Sequence, residues 1–402
     1  MSDPACIFLD QERDPEAPGT HALILGVGEY AYGKGRGQAS EVAGDLRQLS
    51  SPPLSARAMA DWFLGSFRNS ARPLASLSLL LSEETPTPYR PSRGSPAAVE
   101  PGQPQPRGTY ANVRAAAIAW AKRLRSHKDN LGVFYFCGHG ASSGQLAALL
   151  LEDFGDPDFP LDHAVDVDGL RGGMKNSPAV QQVYLFDCCR SNVDALMTGG
   201  QRIGSRLVTE LPFRRGHRET AQQFVLFPTL DGEEAYGVPG EISLFSRSVI
   251  DALSFAAARL DDRDRWWTDT TGLHEEISRL IEHRVPEELR GRSRPNALDS
   301  TRFTLNEIDE PTRIRSFVTI SRRELWPNGL VLGCSDAGGG GQPAQEQSSE
   351  ETGSHSCCTF DLERGRWRFS GSFTARADGR QIEARERHVT PPVEYITLEV
   401  LP

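Results

Sequence analysis

The sequence predicts an α/β protein: a mostly parallel sheet sandwiched by helices, followed by an all-β, sandwich-like domain. Three observations carry that expectation. Short, near-continuous apolar runs such as His21–Val27 and Leu131–Cys137 read as strands buried on both faces. Helical patterns alternate with these runs up to about residue 285, the rhythm of strand–helix–strand units. From about Phe303 onward the helical patterns stop and only short alternating runs remain.

The elements follow in order. Residues 1–19 are polar and read as a loose lead-in, and an α/β domain then spans 20–300. His21–Val27 is the first strand, and the glycines of 33–37 mark a loop. Ser55 is placed to cap a helix running to about Phe67, with Ala58, Met59, Trp62 and Phe63 on one face. Leu77–Leu81 reads as the next strand. Residues 85–109, with seven prolines, read as a long loop, and Tyr110–Arg125 is Ala-rich and helical. Leu131–Cys137 is a third buried strand, and Leu146–Glu152 a strand or hairpin. Asp166–Met174 suits a short helix, and Val180–Phe186 a fourth strand. Residues 191–221 are polar and Arg-rich, a flexible connection to a fifth strand at Phe224–Phe227. Leu244–Ala258 and Leu273–His283 have amphipathic helical spacing. The β-rich domain occupies 311–402, with a polar, low-complexity insert over 338–356.

Composition narrows the function. Of 402 residues, 38% are hydrophobic and 24% charged, enough to bury real cores and too apolar for a wholly disordered chain. The net charge of −10 argues against a dedicated nucleic-acid binder. No apolar run approaches the roughly 18 residues of a membrane span, and Met1-Ser2-Asp3-Pro4 begins no signal peptide. The seven cysteines are odd in number and include the adjacent pairs Cys188-Cys189 and Cys357-Cys358. That is a poor disulfide framework, so free thiols in a reducing cytoplasm are expected.

Two strand ends concentrate reactive residues. One delivers Gly138-His139-Gly140 and the next Asp187-Cys188-Cys189-Arg190. In an open parallel sheet, functional groups collect at the carboxyl ends of strands. A thiol with a pKa near 8.5 holds little thiolate at neutral pH, and a neighbouring imidazole can take its proton or protonate a leaving amine. Glycines beside the histidine let a substrate backbone approach and leave amides for an oxyanion, for which Gly140 and Cys189 are the candidates.

Val133–Gly140 (VFYFCGHG) and Val183–Arg190 (VYLFDCCR) resemble the two signature strands of the caspase-like cysteine peptidases, the clan of caspases, paracaspases and metacaspases. His21–Tyr30 and Phe227–Tyr236, followed by Ser243–Leu253, resemble further elements of the same family, so that roughly residues 20–285 are covered. The resemblance implies a catalytic dyad of His139 and Cys189, with Cys188 at the variable position before the nucleophile. It also implies that Asp187 lines the first specificity pocket and favours Arg or Lys. Relatives often carry a second pocket Asp at the start of the first helix, where this chain has Ser55, with Arg57 two residues on. Glu233 and Glu234 follow the fifth strand and are placed to compensate, while Arg47 leaves an acidic preference open. The Arg-rich connection, with Arg202, Arg206, Arg214, Arg215 and Arg218, matches a linker that family members process.

Other residues carry weaker readings. His355, Cys357 and Cys358 lack a standard zinc spacing. The acids Asp153, Asp156, Asp158, Asp162, Asp166 and Asp168 match no calcium-loop spacing and read as a solvated surface. No metal or cofactor is expected. The function expected is a cysteine endopeptidase acting on protein substrates, a regulated effector of the kind bacterial relatives use in stress or antiviral defence. The alternative is a catalytically silent or partner-gated scaffold recruited by a protein through 311–402, with neither nucleic acid nor membrane as partner.

Overall fold

A computed structural model describes residues 4–14, 16–36, 40–91, 104–143, 146–188, 191–192, 203–208, 221–228, 239–289, 295–327, 329–352, 355–374 and 380–402. They form two compact units. One comprises residues 1–250 with 295–307, the other 251–294 with 308–402.

The first unit is built on a seven-stranded sheet. Its strands and helices in order are β1 (Cys6–Leu9), β2 (Thr20–Val27), α1 (Ser51–Gly65), β3 (Leu74–Ser82), α2 (Tyr110–Leu124) and β4 (Leu131–Gly138). A small hairpin region follows with β5 (Gly140–Ser143), β6 (Leu146–Leu150) and β7 (Ala164–Asp166), then α3 (Val167–Met174), β8 (Gln181–Cys188), β9 (Ser191–Asn192), β10 (Gln222–Phe227) and α4 (Leu244–Asp251). The sheet order is β1-β3-β2-β4-β8-β10, closed by the strand Asn296–Ser300. β3, β2, β4, β8 and β10 run parallel, and the two edge strands run antiparallel. β2 and β4 are buried along their whole length, which is why they read as unbroken apolar runs.

The helices cover both faces. Any Cβ on Gly26 would lie 2.6 Å from the Pro52 carbonyl oxygen and 2.7 Å from Ala56, so α1 sits on that side. Gly132, in register with His21, faces Trp120 and Leu124 of α2 on the other. Tyr135 reaches Ser246 of α4 on the α1 side, whereas Gln182, paired with Gly132, donates to the Met174 carbonyl of α3 on the α2 side. The first parallel strand, β2, has β3 on one side and β4 on the other, so the winding reverses between β2 and β4. Ligands bind at such reversals, beyond the carboxyl ends of the strands.

Several elements differ from the sequence expectation. The lead-in holds β1, paired with β3 and burying Ile7. α1 begins at Ser51 with Pro52 and Pro53 in its first turn, where a missing N–H leaves no bond unmade. Ser55 is therefore not its cap but a fully buried residue inside it. The connection after β8 is not uniformly loose: Ile203, Leu207 and Val208 are buried, and Ser205 bridges to Val165 of β7. Its residues 193–202 and 209–220 lie outside the described residues.

The second unit contains the helix α5 (Thr270–Arg284) as well as strands, so 251–294 groups with the β-rich part. Ile314–Ile320 pairs with Cys358–Leu362 and Val393–Leu398. A four-stranded antiparallel sheet runs Gln345–Ser348, Leu330–Asp336, Gly365–Phe373, Arg385–Val389. Val318, Leu332, Phe360, Trp367, Phe369 and Ile396 share one core. Within the low-complexity insert, Gln345–Ser348 forms a strand that zips onto Leu330–Asp336, and residues 353–354 lie outside the described residues.

Candidate active site

His139 leaves the end of β4 half-buried and is held by three contacts. Its backbone N–H donates to Tyr30 Oη at 2.7 Å, and the Tyr30 hydroxyl donates to the Val27 carbonyl at 3.1 Å. The Tyr30 and His139 rings lie 4.9 Å apart, tilted by 49°. The imidazole Nε2 lies 2.8 Å from the Arg47 carbonyl oxygen. A carbonyl only accepts, so Nε2 carries the proton and Nδ1 keeps its lone pair. No described residue hydrogen-bonds Nδ1. Burial pushes this histidine below its ordinary pKa, and the Arg47 carbonyl partly opposes that shift. The ring is thus neutral at pH 7 with a free base nitrogen.

Close approach explains the glycine before it. A Cβ on Gly138 would sit 2.9 Å from Tyr30 Oη and 3.0 Å from the Val27 carbonyl. The loop bearing Arg47 is tied down in turn. Gln48 accepts from the Tyr30 N–H at 2.8 Å and donates to the Tyr30 carbonyl at 3.1 Å, and Leu49 N–H donates to Gly28 at 2.8 Å.

Beyond the main sheet the chain stays in step. β4 and β8 pair Gly138 with Cys188, and β5 and β9 pair Ala141 with Ser191, an offset of 50 residues on each side of His139. Leu150 N–H donates to the His139 carbonyl at 3.0 Å, so His139 and Leu150 are a hydrogen-bonded pair and the next pair, Gly140 with Leu149, is not. The Gly140 amide therefore points away from β6, toward the β9 side. Cys189 lies outside the described residues. Cys188 points into the core of this unit.

Asp187 faces Cys137, two residues before His139, on the α1 and α4 side. It is 5% exposed. The hydroxyls of Ser243 and Ser246 both donate to its Oδ2, and the Cys137 thiol donates as well. Burial raises its carboxyl above the usual range, against these hydrogen bonds. Ser55 joins the same cluster: its Oγ accepts from the Ser243 N–H at 3.0 Å and its hydroxyl donates to Cys137. Tyr135 completes it through Ser246 at 2.5 Å. Among the described residues no Lys or Arg pairs with Asp187. Asp187 and Ser55 are thus brought together, while Glu233 and Glu234 lie outside the described residues.

The weaker candidates resolve into structural roles. Asp153 accepts from the first N–H of α2, at Tyr110, and Asp166 caps α3. Burial pushes the Cys357 thiol up to about 12. Among the described residues no group of three or more His, Cys, Asp or Glu is placed to hold a metal, and no disulfide joins the six described cysteines to one another. No described helix is long and apolar enough to cross a membrane. The sequence makes Arg47 a candidate pocket cation, whereas its contact to the site is through its main-chain carbonyl and the residue is exposed; Gln48, which ties the loop, carries no signature.

The family model for the caspase domain (peptidase C14) matches residues 20–302. An uncharacterised protein of Sinorhizobium fredii, y4kE, is 27% identical over 259 residues, covering 59% of this chain and 70% of that protein.

Proposed function

The chain belongs to the caspase-domain peptidases, and on that premise we propose that it is a cysteine endopeptidase with His139 and Cys189 as its dyad. The observation that carries this reading is the state of His139: neutral, proton on Nε2, and no described residue bonded to Nδ1. The offset of 50 on either side of it supports Cys189 as the partner, since His139 and Cys189 are separated by the same interval in the sequence.

In this reading the Cys189 thiol gives its proton to His139 Nδ1 and the sulfur attacks the scissile carbonyl carbon. The amides of Gly140 and Cys189 receive the oxyanion. Collapse breaks the C–N bond, the imidazolium protonates the leaving amine, and a thioester remains. Water, deprotonated by the same Nδ1, then releases the acid. Asp187 takes a P1 arginine or lysine, with Ser55 and Glu234 as further pocket residues. Cleavage within 193–220, for instance beside the exposed Arg206, is part of the proposal, as is an effector role in stress or antiviral defence. The near-closure of Asp187 favours a partner-gated form of this enzyme, recruited through 311–402.

The test is a peptide library varying P1, read with wild type and Cys189→Ala. Cleavage after Arg or Lys that disappears in the variant is expected. Equal cleavage by the variant overturns the mechanism, and preferred cleavage after Asp overturns the pocket assignment alone.

A further inference from the structure

The most one-sided charge distribution in the second unit lies on two neighbouring strands, Gly365–Phe373 and Arg385–Val389. Residues 364–388 hold seven arginines and three acids in a chain whose net charge is −10. Arg364, Arg366, Arg368, Arg385, Arg387 and His388 are all exposed. The pairing sets Arg366 beside His388 and Arg368 beside Glu386 on the outward face. Arg385 and Arg387 stand opposite Phe369 and Trp367, on the other face but beyond the core's edge.

Most of these charges are uncompensated. Glu386 meets Arg366 at 2.6 Å. Among the described residues Arg364, Arg368, Arg385 and Arg387 form no ion pair, although acids outnumber bases in the whole chain. Arg385 donates to the Thr397 carbonyl at 3.2 Å and so stays near the strand.

The strand itself is open. Arg385–Val389 ends its sheet, with Gly365–Phe373 on one side and no described strand on the other. Outside that pairing its backbone makes no hydrogen bond to a described backbone group. Charged edges commonly keep sheets from pairing with copies of themselves. A single sign does more: it repels a second copy of this edge and attracts an acidic strand. Arg385 and Arg387 share one face of the edge strand, so one set of an added strand's alternating side chains meets guanidinium groups, while the other meets Glu386 and His388.

We infer that Arg385–Val389 is a docking edge for an acidic, extended segment of a partner protein, which adds as a further strand and sets its carboxylates against Arg385 and Arg387. Main-chain pairing supplies the attachment and the arginines the selectivity. This deepens the partner-gated reading by placing the partner's surface. Its test reads binding alone, so its failure is distinguishable from failure of the peptidase assignment.

The experiment uses the full chain and fluorescent ten-residue peptides in anisotropy titrations. An alternating Glu-Val peptide is expected to bind, and to weaken severalfold between 50 and 200 mM salt, as the Debye length falls about twofold and screening grows. The double variant Arg385→Glu/Arg387→Glu is expected to lose at least tenfold in affinity with an unchanged unfolding midpoint, and Arg368→Glu a smaller factor. An acidic peptide with prolines at alternate positions, unable to donate to the edge, is expected to lose most of its binding. Equal binding of a Lys-Val peptide, tighter binding of a single-stranded oligonucleotide, or no effect of the arginine variants overturns the inference.

Discussion

The two ends of the parallel sheet each hold a buried-side histidine, and the two rings are put to opposite uses. His21 opens β2 at the amino end and is 5% exposed. Its Nδ1 shares a hydrogen bond with Ser76 Oγ at 2.8 Å, and its carbonyl accepts from Trp120 Nε1 at 2.9 Å. Burial, followed by the charges of Arg123 and Arg13, lowers its pKa to about 3. His139 follows β4 at the carboxyl end, half-buried, with its pKa lowered mainly by the same cause. What separates them is access. At the amino end the chain closes over the ring. At the carboxyl end Gly138 lets the backbone pass beside Tyr30, and the Arg47 carbonyl fixes one nitrogen while the other stays open. A depressed imidazole pKa thus marks burial at either end of the sheet and does not by itself distinguish the two rings.

That contrast breaks most directly at the carboxyl end. Cys189→Ala is expected to lower peptide hydrolysis by at least about a thousandfold and His139→Ala by about a hundredfold or more, with unfolding midpoints near wild type. Asp187→Asn, measured as kcat/KM on Arg-P1 peptides, is expected to lose about a hundredfold, because it removes the charge facing the guest. Gln48→Ala probes positioning: with the Arg47 loop freed, kcat is expected to fall about tenfold while KM stays close to wild type. The smallest effect is at the amino end. His21→Leu is expected to leave kcat unchanged but to alter the pH dependence of stability. Unfolded His21 takes up a proton near pH 6.5 and folded His21 only near pH 3, so the stability it contributes is complete above about 6.5 and falls as pH is lowered. Urea unfolding at pH 7 and pH 5 should show wild type losing more than the variant, by up to about 1.4 kcal/mol per pH unit. An equal loss in both would mean that His21 is not held neutral.

The parallel strands were legible because burial on both faces leaves almost no choice but apolar residues, as in Leu131–Cys137. The motif strands were legible too: Gly138-His139 and Asp187-Cys188 lie at the ends of the adjacent strands β4 and β8, while Cys189 itself lies outside the described residues. Less visible was the start of α1. Ser55 looked like a cap, but Pro52 and Pro53 are accepted in a first turn, and Ser55 instead bonds Ser243, 188 residues away. The Arg47 contribution was invisible in principle, since every residue has a carbonyl and only the loop's path gives this one a role. β1 escaped notice because four residues at an antiparallel edge carry too short a pattern to distinguish from a polar lead-in.

The hydroxyls that hold Asp187 come from Ser243 and Ser246, 56 and 59 residues further along the chain. During synthesis, Asp187, His139 and Cys189 leave the ribosome before these partners exist. The pocket carboxylate meets its donors only once α4 has been made and docked. In the proposed reading, a nascent or prematurely terminated chain carries both residues of the proposed dyad without the hydroxyls that hold Asp187, and the order of translation delays selective cleavage until most of this unit has been produced.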